Sequence, residues 1–168
     1  MSKRLIKEMI KKNNVEGQIS IFEEEDRQIA EKKKETIMYI TGGNATFTIE
    51  STKLNVRYTY KLVHKKNDRC EHRYIVSRLY GSDNNSDYKY MGIYYSDTGV
   101  FKTQDNESLH NKMFKSFVKM LNSPTELWYD TCKFYKSEKC ACCGRRLTTP
   151  ESIERGIGPE CFIRVKGV

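Results

Sequence analysis

The chain has 168 residues, of which 38% are hydrophobic and 31% are charged, and its net charge is +8. This length predicts one domain with small appendages, and the charge suits nucleic acid or an acidic protein surface without choosing between them. No stretch approaches the ~20 apolar residues of a membrane span, and charges interrupt the apolar residues near the N-terminus. We therefore expect a cytoplasmic protein with reduced thiols and no membrane association.

Residues 2–13 predict a short amphipathic helix. Leu5, Ile6, Met9 and Ile10 recur at helical spacing, and lysines fill the other face. Such a helix packs on the protein's own core or on a second copy of the chain, although its basic face could also contact phosphates.

The next segment, Gln18-Ile19-Ser20-Ile21-Phe22, is typical of a peptide that docks on a partner. In an extended peptide its two isoleucines and its phenylalanine cannot cover one another. The alternative is a short strand or helix lead-in that is buried in the protein's own core. The pentapeptide resembles the bacterial sliding-clamp-binding motif, with isoleucine at both leucine positions. That resemblance implies that Gln18 bonds the pocket rim while Ile21 and Phe22 fill a hydrophobic cleft.

A charged segment, residues 23–35, follows the pentapeptide and predicts a solvated helix. It begins with acidic residues and ends with lysines, an order that suits the helix dipole. The acidic residues are Glu23, Glu24, Glu25 and Asp26.

From Ile37 the hydrophobic period changes to two, which predicts adjacent antiparallel strands joined by hairpins. The expected strands cover residues 37–41, 46–49, 56–62, 74–80 and 88–95. A polar loop, residues 81–87, contains Asp83 and Asp87.

Ser108 is expected to cap a helix whose apolar stripe runs from Leu109 to Leu121 and packs across the sheet. An aromatic strand is expected from Leu127 to Tyr135. The fold class is therefore α+β, an antiparallel sheet with one covering helix. We expect three segments: an N-terminal helical or extended arm (1–36), the sheet-and-helix body (37–136) and a C-terminal zinc-knuckle module (137–168).

Cysteine spacing predicts the zinc site. Cys140 and Cys143 form a Cys-x-x-Cys pair whose thiolates can face one tetrahedral ion, and Cys161 follows on a later turn. Cys132 is the preferred fourth ligand, with Cys70 or a histidine as fallback. Because neighbours on a knuckle are not expected to face the same ion, Cys142 is predicted to point away.

Two helix starts place the third cysteine near this pair. Thr149-Pro150 predicts a short helix that ends at Gly156, and Gly158-Pro159 opens another helical turn. A zinc site closed by thiolates has no open position for water, so a structural ion is favoured over a catalytic one.

The segment from Cys140 to Cys161 resembles a cysteine module found in phage and plasmid proteins, with the pattern Cys-x-x-Cys-Gly-Arg-x-Leu-Thr-x-Pro-Glu-Ser-Ile-x-x-Gly-Ile-Gly-Pro-x-Cys. Some of these modules use a histidine just before the first cysteine, which this chain lacks. The sheet region, from Ala45 to the Tyr88 strand, is similar to the body that precedes the module in phage proteins.

The whole chain resembles the sliding-clamp inhibitors of staphylococcal phages. That resemblance implies a protein of the host cytoplasm that binds the clamp, the β subunit of DNA polymerase III, and keeps it off DNA. Such an inhibitor would occupy the DNA channel, the peptide cleft, or both, and would arrest host replication. We expect a homodimer, matching the two-fold clamp ring, with the lysine-rich helix at residues 2–13 and the apolar stripe of residues 109–121 as candidate dimer surfaces. The residues 23–26, Asp83 and Asp87 are candidates to face the cationic channel wall.

Two other classes of function remain open from the sequence. A nucleic-acid-binding zinc protein is the alternative, since the net charge, the tyrosines and several arginines supply phosphate and stacking contacts. Those arginines are Arg145, Arg146, Arg155 and Arg164. An enzyme is disfavoured because His64, His72 and His110 lie in different predicted elements, without a carboxylate pair or a glycine-rich phosphate loop.

Overall fold

The structure is a computed structural model that describes residues 23–65, 68–123 and 132–167. The chain divides into two units, Met1–Glu35 and Thr36–Val168. The predicted N-terminal helix and the pentapeptide Gln18–Phe22 lie outside the described residues. Within the described ranges, no helix is both long and apolar enough to cross a membrane.

Six strands of the described residues form one antiparallel sheet in the order β5-β4-β3-β2-β1-β6. They are β1 (Asn44–Ser51), β2 (Val56–Val63), β3 (Arg73–Leu79), β4 (Tyr88–Tyr95), β5 (Val100–Lys102) and β6 (Cys132–Lys136). The described helices are α1 (23–40), α2 (Leu109–Asn122), α3 (Pro150–Arg155) and α4 (Pro159–Lys166). The predicted α+β class, with an antiparallel sheet and a covering helix, is confirmed.

One face of the sheet packs against α2 through aromatic side chains. Phe117 stacks on Phe134 of β6 with 5.6 Å between ring centres, and Phe114 lies 5.1 Å from Tyr60 of β2. The Tyr60 hydroxyl donates to the carbonyl of His110 at 2.9 Å, which fixes the first turn of the helix. Each fully buried ring contributes about 1.5–3 kcal/mol, so these rings hold α2 firmly on the sheet.

The apolar stripe of α2 is therefore buried inside the protein. Its buried residues are Met113, Phe114, Phe117, Val118 and Leu121. The stripe had also been a candidate dimer surface, and that interpretation is wrong because burial against the sheet removes it from contact with a second copy.

Ser108 takes the N-cap position of α2, as predicted, but its side chain does not cap the helix. Asp105 instead organises the turn that leads into the helix. Its Oδ1 accepts hydrogen bonds from the backbone N–H groups of Glu107 and Ser108, both at 3.0 Å, and its Oδ2 accepts from the Ser108 hydroxyl. These bonds lower the pKa of Asp105, chiefly through the Ser108 hydroxyl.

The strand predicted at residues 37–41 is wrong, because α1 continues through residue 40. Its buried residues Thr36, Tyr39 and Ile40 follow the spacing i, i+3, i+4 of a helix face. The Thr41 amide still donates to the Ile37 carbonyl at 3.0 Å. Three alternating residues were too short a pattern to distinguish a strand from a helix end.

The other predicted strands are present, and β6 begins at Cys132 within the range expected for the last strand. The remainder of that range up to residue 131 lies outside the described residues. Strand β5 was not predicted. No local pattern predicts that β6 pairs with β1, where Phe47 lies opposite Lys136 and Ser51 lies opposite Cys132.

Candidate metal centre

The cysteine module is anchored where β6 leaves the sheet. The Ser137 amide donates to the Thr46 carbonyl and to the Tyr39 hydroxyl, both at 3.1 Å. The Tyr39 hydroxyl in turn donates to the Thr46 carbonyl at 2.6 Å. Because Tyr39 is fully buried, this triangle of bonds fixes the start of the module against β1 and the end of α1.

A small hairpin then carries the first cysteines. Lys139 pairs with Arg146, and the Cys140 amide donates to the Arg145 carbonyl at 2.8 Å. The Gly144 amide donates to the Cys140 carbonyl at 2.9 Å and closes the turn. Gly144 has φ +74°, a left-handed conformation that favours glycine. This geometry is the predicted knuckle.

Helices α3 and α4 bring Cys161 to the same place. Thr149 and Gly156 flank α3, and Gly158 precedes α4, with proline in the first turn of each helix as predicted. The Gly158 amide donates to the Cys140 sulfur at 3.3 Å. Cys161 is buried close to the start of α4.

Three thiols meet at this point. The Sγ atoms of Cys140, Cys142 and Cys161 all lie within 4.8 Å of one another. Cys143, the other predicted ligand, is exposed and lies on the same turn, beside this group of three. Sulfurs bound to one tetrahedral zinc ion at about 2.3 Å would lie about 3.8 Å apart. The cluster therefore fits a single metal ion after a small contraction.

Cys142 was expected to point away from the ion, and that prediction is wrong. Its sulfur lies with those of Cys140 and Cys161, because the intervening Ala141 is fully buried in the core and the turn brings Cys142 back to the side of Cys140, whereas Cys143 is exposed. The only sequence signal for this arrangement was the density of cysteines in Cys-Ala-Cys-Cys.

Cys132, the preferred fourth ligand, is not in the cluster. Cys132 lies opposite Ser51, at the C-terminal end of β1. The cysteine cluster lies near the N-terminal end of β1, where the Asn44 amide donates to the Ala141 carbonyl at 2.6 Å. At about 3.3 Å per residue, the length of β1 separates these points by roughly 23 Å. The fallbacks also fail, since neither Cys70 nor any histidine joins the group among the described residues.

The thiols differ in how readily they ionise. Burial opposes ionisation of Cys140, but the N–H groups of Cys143, Gly158 and Cys142 outweigh it and lower its pKa to about 7. Burial, together with the neighbouring sulfurs, raises the pKa of Cys142 to about 11 and that of Cys161 to about 12. The site thus favours one thiolate by itself, and further thiolates need a cation to balance their charge.

The acidic residues predicted to meet a partner lie in two places. Glu23, Glu24, Glu25 and Asp26 are all exposed on α1. Asp83 and Asp87 instead organise their own loop, because Asp87 accepts from the Asp83 amide at 2.9 Å and Asp83 accepts from the Asn85 amide and the Ser86 hydroxyl.

Comparison with known proteins adds one match. The model of a family of unknown function (DUF6011) matches residues 134–165, which run from β6 through the knuckle to α4. Neither the curated proteins nor the solved structures gave a match. The thiol cluster lies within the segment that matches this family. The segment could therefore hold a metal ion, and it is similar to a family whose function is unknown.

Proposed function

We propose that the chain is a phage-encoded inhibitor that binds the host's DNA sliding clamp, prevents the clamp from loading onto DNA and uses a zinc ion only to hold its own fold. The observation that carries the proposal is the clamp-motif-like pentapeptide Gln18–Phe22, followed at once by a run of four exposed acidic residues. The resemblance of the whole sequence to phage clamp inhibitors supports it.

Zinc is the metal that best suits the cluster. Four thiolates are soft ligands, and a closed tetrahedral set of sulfurs is typical of structural zinc. With Cys140, Cys142, Cys143 and Cys161 all bound, the ion has no coordination position for water or substrate. The proposed protein is therefore a binding protein rather than a metalloenzyme.

The pentapeptide supplies the anchor in this proposal. Burying Ile21 and Phe22 in the clamp's peptide cleft contributes about 1.5–3 kcal/mol for each side chain, which makes them the expected hot spots. A filled cleft excludes other proteins that use it. The acidic run that follows suits the cation-lined DNA channel, where carboxylates would take the place of phosphates.

The folded body supplies the obstruction. It is large enough to block the ring's opening, and we propose that the channel route dominates while the peptide assists. Asp83 and Asp87 contribute less than the residues of α1, because hydrogen bonds inside their loop already engage both carboxylates. The charge that complements the channel therefore lies chiefly at residues 23–26.

A dimer would strengthen binding, since a two-fold inhibitor can engage both equivalent clefts of a two-fold ring. With the α2 stripe buried, the lysine-rich residues 2–13 are the remaining candidate for the contact. Sedimentation of the free chain at micromolar concentration should show a dimer, and a monomer both free and clamp-bound would contradict this part of the proposal.

Clamp recovery from host lysate by the immobilised chain, with and without nuclease, tests the function. We expect the clamp in both samples; recovery of DNA-binding proteins alone, lost after nuclease, would contradict the proposal. Phe22→Ala then separates the two routes, with Tyr80→Ala as the control, because Tyr80 is 62% exposed and lies outside the motif. If Phe22→Ala abolishes binding and a free clamp-binding peptide displaces the chain fully, the channel route is wrong.

Metal analysis tests the zinc centre. The purified chain should hold about one zinc ion, and Cys143→Ser should release it and unfold the C-terminal module, because metal binding is coupled to folding. Cys132→Ser is the matched control and should retain the metal, since Cys132 lies at the far end of β1. A fully folded chain without metal would contradict the proposal.

A further inference from the structure

A groove lies on the face of the sheet opposite α2. Its floor consists of Thr46 and Thr48 of β1 and Thr59 of β2, and its volume is about 450 Å³. The strand register places these residues on one face, since Thr48 lies opposite Thr59 and their hydroxyls are hydrogen-bonded at 2.8 Å. Ligand pockets commonly have volumes of this size, and the threonine hydroxyls can both donate and accept hydrogen bonds.

An aromatic ring forms one wall. Tyr135 of β6 lies opposite Thr48, is 40% exposed and lines the groove. The guanidinium of Arg57 lies over this ring, 5.2 Å from its centre. The ring is thus held beside the groove by a cation, while much of its surface remains available for stacking.

The opposite wall comes from the loop 81–87, which contributes Asn84. This wall is already shaped, because the carboxylates of Asp83 and Asp87 hold the loop together and the Lys139 ammonium donates to Asn85 Oδ1 at 2.9 Å. The two aspartates expected from the sequence to face a partner thus build one side of this groove.

Cations line and flank the groove. Lys139 and Arg146 line it, and Arg57 and Lys61 flank it on β2. The carboxylates near it already have partners: Glu138 pairs with Arg146 at 3.4 Å, Glu50 pairs with Arg57 at 3.7 Å, and Asp83 and Asp87 accept hydrogen bonds within their own loop. Exposed ion pairs of this kind are weak, so a phosphate can compete for either arginine.

We propose that this groove binds single-stranded nucleic acid, with a base stacked on Tyr135 and the adjoining phosphates on Lys139 and Arg146. An aromatic platform with a cationic rim is the chemistry that binds single strands, because every base has a stacking face and every linkage carries a charge. The hydroxyl floor suits the polar edge of one base. A duplex hides its bases and cannot offer one to the groove. This activity is independent of clamp binding.

Fluorescence anisotropy with a labelled oligothymidylate and the purified zinc-loaded chain tests the proposal. Tyr135→Ala should weaken binding about 5- to 150-fold, which is the range for losing one stacked base. Tyr80→Ala is the matched control, since its exposed ring also has an arginine over it, Arg78 at 4.8 Å, but does not line the groove. We expect the control to bind as tightly as the wild type.

The salt dependence of binding gives a second readout. Lys139→Ala should reduce the slope of log affinity against log salt concentration by about 0.7, the value for one phosphate contact on a single strand. Lys119→Ala, an exposed lysine on α2, should leave the slope unchanged. An oligouridylate arm distinguishes RNA from DNA as the preferred single strand.

Several outcomes would contradict the proposal that the groove binds single-stranded nucleic acid. They are no oligonucleotide binding by the wild type, equal losses in Tyr135→Ala and Tyr80→Ala, or duplex DNA that competes as well as the single strand. Because no clamp is present in this assay, failure here leaves the clamp proposal standing. Circular dichroism and zinc content of each variant establish that it is folded before its affinity is compared.

Discussion

Replacing Gly156 by alanine tests how closely the cysteine module is seated on the sheet. Gly156 ends α3 with φ +76°, and a Cβ at this position would lie 2.3 Å from Cε2 of Tyr39 and 3.0 Å from Cδ of Lys136. The tyrosine ring cannot move aside easily, because it is fully buried and its hydroxyl is bonded to Thr46 and Ser137. The substitution therefore introduces both backbone strain and overpacking.

The two costs can be estimated separately. A left-handed conformation costs a non-glycine residue about 1–2 kcal/mol, and overpacking a filled core costs about 1–3 kcal/mol. Alanine also restricts the unfolded chain, which returns about 0.4–1 kcal/mol. We expect Gly156→Ala to lower the free energy of unfolding by about 2–4 kcal/mol. At this chain length that corresponds to a Tm lower by about 5–15 °C.

Gly167→Ala is the matched control. Gly167 follows α4 as Gly156 follows α3, its φ is +67°, and a Cβ there would meet nothing within 4 Å. It should cost only the backbone term, about 1 kcal/mol. Urea unfolding of both variants at the same free zinc concentration measures the difference, since bound metal itself stabilises the folded state. If Gly156→Ala costs no more than Gly167→Ala, the contact with Tyr39 is not tight and the reasoning fails.

Three further substitutions test the core and the helix start. Tyr39→Phe removes the hydroxyl that bonds the Ser137 amide and the Thr46 carbonyl, and should lower the free energy of unfolding in urea by about 1–3 kcal/mol. An unchanged free energy would show that these bonds do not hold the cysteine module on the sheet. Phe117→Ala should cost about 3–5 kcal/mol, and an unchanged Tm would contradict the packing of α2. Asp105→Asn should lower the Tm at neutral pH. Because folding lowers the pKa of Asp105 below 3.8, its stabilisation is present above pH 3.8 and should vanish at lower pH. A Tm difference that persists in acid would contradict this.

Local patterns in the sequence determined the elements whose signals lie within a few residues. Apolar spacing and Ser108 predicted α2, and alternating residues predicted β2 to β4. The pairs Thr149-Pro150 and Gly158-Pro159 predicted the starts of α3 and α4, because caps and first-turn prolines act on backbone groups beside them. The spacing of Cys140 and Cys143, with Gly144 after them, likewise predicted the tight turn that carries them.

Long-range packing decided the features for which no local signal exists. The pairing of β6 with β1 places Cys132 far from Cys140 and Cys161. The turn at Ala141 brings the Cys142 sulfur close to those two cysteines instead. The alternating pattern around Tyr39 predicted a strand, yet Tyr39 lies on α1. The helix is favoured because it buries Tyr39 against the cysteine module together with Thr36 and Ile40 on the same helix face. The groove exists only because the register aligns Thr48 with residues far along the chain. Such contacts depend on which distant segments bury apolar surface together, and only the tertiary structure specifies them.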